Sequence, residues 1–144
     1  MGHLLHLADV PETTISSGRW QPLNERLGIT NFGISAVVVE PGEDPDIEHD
    51  EGDSGHQEAY VVVSGRAAFR LGDEHVEAGP GDVVALPDPH ETRGYRALEP
   101  GTRIICLGAG PGAEHPYGRW IAEEAAREEG EDERRREGSD TDSA

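Results

Sequence analysis

The chain has 144 residues, enough for one ordinary domain and too few for two with separate cores. Its 30 acidic and 12 basic residues give a formal charge of −18, and every basic residue is an arginine. That charge repels nucleic acid and anionic lipid surfaces, and a chain without lysine has no Schiff-base chemistry of its own.

The amino-terminal MGHLLHLADV carries neither a basic leader nor a long apolar run, so a cytoplasmic protein is expected. No stretch approaches the roughly 20 apolar residues of a membrane helix. Residues 1–29 read as a lead-in or edge segment. Within it and just beyond, Arg19–Phe32 leaves open either an edge strand or an irregular stretch anchored by Trp20 and Leu27.

Residues 30–112 are different. Short apolar or alternating runs recur there: GISAVVVE, EAYVVVSG, RAAFRL, EHVEA, DVVALP and TRIICLG. Turn signals separate them, among them Leu71-Gly72-Asp73, Gly79-Pro80-Gly81 and Glu99-Pro100-Gly101. Many short strands without helical periods between them predict an antiparallel sandwich or barrel. Cys106, alone of its kind, excludes an internal disulfide and reads as a small buried hydrophobe. Residues 113–129 form a C-terminal segment in which Trp120–Glu129 predicts a short helix. Residues 130–144 are charged or small and predict a disordered acidic tail.

Side chains alternate along a strand, so His56, Glu58, Tyr60 and Val62 are expected on one face of their run. An imidazole beside a carboxylate suits iron, manganese, nickel or zinc. It equally suits an internal hydrogen-bonded polar pair, and the two readings stand level. His49 lies among Asp44, Asp46, Glu48, Asp50 and Glu51, where a solvated loop histidine is slightly favoured. Those carboxylates lack the ordered alternation of a calcium loop. Tyr60 and Phe69 are expected in the core. His3, His6, His75 and His115 are scattered and read as surface residues. Arg93, Arg96 and Arg103 are candidate anchors for an anionic ligand, because a planar fork of donors suits a carboxylate. Balancing the acidic surface ranks ahead of that role.

Two stretches carry a further pattern. Gly42, then His49 in DIEHDEG, then Glu58 seven places before Gly65 make the first; Gly81-Asp82, a strand to Pro87, and His90 make the second. Over residues 30–110 these resemble the paired motifs of the cupins. The resemblance implies an all-β double-stranded β-helix (jelly-roll) barrel, paired as a homodimer. It also implies a divalent metal held by His49, His56, Glu58 and His90, with Tyr60 or Arg93 orienting a substrate. Glu51 stands where the second histidine of the family's pair would be, and the step from His49 to Glu58 is longer than the pattern. That points to a small insertion in DEGDSG, or to a shifted register in which Glu51 and His56 take ligand places. Thr92 holds the place of the family's later histidine, two residues beyond His90. The expected function is a single-domain cupin that binds a small molecule in its barrel, in a regulatory or non-catalytic role. The alternative is a metal-dependent dioxygenase or isomerase acting on a small polar substrate through His56, Glu58 and His90.

Overall fold

Strict alternation of burial along TRIICLGA shows how the sequence becomes a layer. Thr102, Ile104, Cys106 and Gly108 point inward, and the residues between them are only partly covered. The computed structural model describes residues 1–15, 18–43, 48–110 and 119–140. In chain order the strands are β1 (Thr13–Ile15), β2 (Gly18–Pro22), β3 (Gly33–Val39), β4 (Gln57–Ser64), β5 (Ala67–Leu71), β6 (Glu74–Ala78), β7 (Val83–Leu86), β8 (Arg93–Ala97) and β9 (Thr102–Ala109). A short helix α1 (Asn24–Leu27) lies between β2 and β3, and α2 (Arg119–Asp140) follows β9.

The strands make two antiparallel sheets: six strands in the order β1-β2-β3-β9-β4-β7, and three in the order β6-β5-β8. The main core lies between them. It gathers Trp20, Val37, Val39, Tyr60, Val62, Phe69, Leu86, Tyr95, Ile104 and Cys106. This is a jelly-roll-like sandwich rather than the closed barrel expected from the sequence, since no strand ladder joins the sheets among the described residues. An isolated bridge between His49 and Arg93 adds a partial rung at the β8 edge.

β3 is buried on both faces, which accounts for its unbroken AVVV. Its outer side packs against the amino-terminal segment, where Val10, Leu23 and Ala36 form a second cluster with Leu5, Leu7, Leu27, Ile34 and Ile105. Gln21 pins that segment by donating from Nε2 to the carbonyls of Leu7 (2.7 Å) and Val10 (2.9 Å). The 1–29 lead-in thus contributes two strands and a buried Trp20.

Gly65 closes the turn after β4 at φ +72°, and a β-carbon there would collide with Thr102. The Thr102 hydroxyl meanwhile donates toward the carbonyls of Glu99 (2.7 Å) and Arg66 (3.0 Å). The motif glycine therefore joins the two sheets at one corner.

The carboxy-terminal helix is longer than expected. It runs to Asp140, through residues 130–140 that composition assigned to a disordered tail. Arg and Glu dominate it, and pairs such as Arg127–Glu131 (3.6 Å) support a helix that has little apolar surface to bury. Residues 141–144 of the expected tail lie outside the described residues, as do Asp44, Asp46 and His115. No helix among the described residues is long and apolar enough to cross a membrane.

Candidate metal and ligand site

Where β4 begins and β7 and β9 end, polar side chains meet. Glu58, Tyr60 and Val62 are the buried residues of β4, as alternation predicts. His56 lies just before the strand and is half-buried. The residues between His49 and Glu58 form a turn, closed by Gly55 N–H donating to the Glu51 carbonyl (2.7 Å). Glu51 N–H also donates to the Pro89 carbonyl (2.7 Å), which ties this turn to the second motif. The extra length in DEGDSG is therefore absorbed as a loop, and its effect is to turn the Glu51 side chain toward the cluster.

Backbone bonds fix His49. Its N–H donates to the Arg93 carbonyl (2.9 Å), and Arg93 N–H returns a bond to the His49 carbonyl (2.8 Å). His49 Nε2 then lies 3.1 Å from Glu51 Oε1 and 4.0 Å from Glu58 Oε2. One ligand atom each from His49, Glu51 and Glu58 fall within 4.8 Å of one another. His56 stands behind Glu51, with Nδ1 3.6 Å from Oε2. Its ring rests on Gly110, where a β-carbon would lie 2.7 Å from Cδ2.

Arg93 is the most deeply placed member. It is 0% exposed, on the inward face of β8. Nη2 donates to the Asp88 carbonyl (2.8 Å), while Nε lies 3.5 Å from Glu58 Oε2 without a hydrogen bond. Nη1 is buried with no hydrogen-bond partner among the described residues. Tyr60 donates its hydroxyl to Glu58 Oε2 (3.0 Å) and belongs to the floor beneath. Its ring stacks on Phe69 at 5.6 Å, and Tyr95 meets both rings at 5.6 and 5.7 Å.

The two carboxylates respond oppositely. Burial, reinforced by the charge of Glu51, pushes the Glu58 carboxyl up despite His49, Arg93 and the Tyr60 hydroxyl. Burial also acts to raise Glu51, but hydrogen bonds from His49 and Ser54 and the charges of His49 and His56 outweigh it, holding that carboxyl at about 2. The buried Cys106 thiol is pushed up by desolvation, as befits a core residue.

Of the residues named from sequence, the structure brings together His49, Glu58, Tyr60 and Arg93, with His56 one step removed. His90 stands apart. It is exposed, its N–H donates to Asp88 Oδ1 (2.9 Å), and its ring lies against Gly52. The Pro87-Asp88-Pro89 turn breaks strand alternation there, so the side chain inside the sheet is Arg93. Glu51, which sequence placed only in a shifted register, is a full member of the cluster.

No model of a known protein family matches the chain, and no curated protein matches it. Solved structures do. KdgF from Halomonas sp. is 20% identical, with a TM-score of 0.63 over 76% of this chain and 96% of that one. A sugar phosphate isomerase of the cupin superfamily from Silicibacter pomeroyi is 18% identical, with a TM-score of 0.62 over 74% and 75%. The fold is the cupin jelly roll. Ectoine synthase from P. lautus shares this cupin fold at 21% identity, with a TM-score of 0.63 over 85% of each chain.

The cluster suits a divalent ion by its donor chemistry. One imidazole and two carboxylates are an N/O set that suits iron, manganese, nickel or zinc. They number three, and a guanidinium occupies the side from which the second motif of this chain approaches.

Proposed function

We propose that this cupin is a metal-dependent enzyme acting on a small polar molecule, with His49, Glu51 and Glu58 holding the ion. The convergence of those three ligand atoms within 4.8 Å carries the reading. An ion bound there supplies Lewis acidity toward a substrate oxygen. The chain's own residues do the rest. His56 and Ser54 hold Glu51 from behind, Tyr60 holds Glu58, and the aromatic floor limits the substrate to a small molecule. The set is compatible with an isomerase or a dioxygenase. The names of two fold neighbours, a sugar phosphate isomerase and an ectoine synthase, favour non-oxidative chemistry.

Arg93 favours a second reading, a non-catalytic binding protein. Its fixed positive charge beside Glu58 offsets that carboxylate without any ion. Metal content separates the two. Protein purified without a chelating tag and incubated with manganese, iron, nickel and zinc in turn is expected to retain one ion per chain. His49→Ala and Glu58→Gln are expected to lose it while remaining folded. Failure of the wild type to retain any of the four ions would leave only the binding role.

A further inference from the structure

A guanidinium carries five donor hydrogens, and leaving part of one dry and unpaired is costly. Arg93 is 0% exposed, yet among the described residues Nη2 alone of its guanidinium nitrogens makes a hydrogen bond, to the Asp88 carbonyl. Nε faces Glu58 Oε2 at 3.5 Å, and Nη1 has no partner among the described residues. Because the group is rigid and planar, that orphan donor lies within one guanidinium's width of the Nε that faces Glu58. Buried polar groups in native folds are paired with protein, water or ligand. Among the described residues no group completes this one.

Charge narrows what can complete it. Glu51 and Glu58, the Arg93 guanidinium and a divalent ion together leave a single positive charge in a partly dry site. A monocarboxylate neutralises that charge, whereas a phosphate dianion overshoots it beside two carboxylates. Tyr60, Phe69 and Tyr95 pack together in the layer immediately below.

We propose that the site takes a small monocarboxylate, one oxygen of which accepts a hydrogen bond from Arg93 Nη1. This rests on the metal reading above for its charge balance, and it names the substrate class for that site. Arg93 is then a binding residue set by the β8 register and by the His49 bridge.

The test uses the full chain, with and without Mn²⁺, titrated separately with acetate, glycolate, pyruvate and inorganic phosphate. Binding is followed by calorimetry and by the Mn²⁺ electron spin resonance signal. At least one of the three carboxylates is expected to bind the Mn²⁺-loaded wild type, and phosphate is not. Arg93→Gln is expected to weaken that carboxylate about tenfold or more, with a much smaller effect on Mn²⁺. Arg93→Lys keeps the charge without the fork and is expected to give a clear but smaller loss. It also serves as the readout if Arg93→Gln fails to fold. Equal carboxylate affinity in wild type and folded variants overturns the proposal. So does phosphate binding tighter than every carboxylate, or no carboxylate binding to protein in either state. A wild type that binds no Mn²⁺ but does bind carboxylate through Arg93 overturns the metal reading alone.

Discussion

Along β4 and β8 the interior changes character within one strand repeat. Glu58 and Arg93 form a charged layer open toward His49 and Glu51, whereas Tyr60, Tyr95 and Phe69 form a dry aromatic layer two residues further in. The same alternation builds both. What differs is the entry to each strand: β4 is reached through the Glu51–Gly55 turn and β8 through the Pro87–Pro89 turn, and these turns deliver the polar groups. The lower layer is therefore expected to carry most of the stability and the upper one the proposed binding, so substitutions should separate the two properties.

The largest effect is expected from the aromatic layer. Phe69 is 0% exposed and touches both tyrosines, so Phe69→Ala should cost about 3–5 kcal/mol in chemical denaturation. The protein that remains folded should still take up one metal ion. Loss of the ion in step with the loss of stability would show that the layers are not separable.

A smaller effect is expected in acid. Glu51 falls from its ordinary value of 4.5 to about 2, so its contribution to stability is complete above 4.5 and is lost as pH falls toward 2. Glu58 is raised, so its own contribution is complete below 4.5 and is lost as pH rises through its shifted value. In metal-free protein, Glu51→Gln should therefore flatten the stability loss between pH 4.5 and 2 and lower stability at neutral pH, where the Glu51 contribution is complete. An acid limb identical to that of wild type would contradict the pairing of Glu51 with His49 and Ser54.

Much of this was legible in the sequence, and the reasons are physical. Six of the nine strands follow from apolar runs bounded by glycine and proline, because burial on one or both faces writes itself into every second residue. β8 carries no such signal. RGYRA contains a glycine and two arginines, and it is a strand because Ala67–Leu71 pairs with it along its whole length. Arg93 could be named from the sequence only as a candidate anion anchor, behind a surface role, and its 0% exposure could not be read there, since only the β8 register reveals which way it faces. The pair of Glu58 and Tyr60 followed from strand period alone. His90 could not be placed, because two prolines remove the periodicity on which such an argument rests. Glu51 required knowing that the extra residues after His49 close into a turn, a backbone hydrogen bond that composition does not specify.

The central claim is that the first motif supplies the ligands through its turn and that β8, the strand after the second motif, supplies a guanidinium. A Mn²⁺ titration followed by electron spin resonance, on wild type, Glu51→Gln and His90→Ala, tests it most directly. The account predicts one saturable site in wild type, its loss in Glu51→Gln and an unchanged site in His90→Ala. Binding that survives Glu51→Gln and disappears with His90→Ala would contradict it.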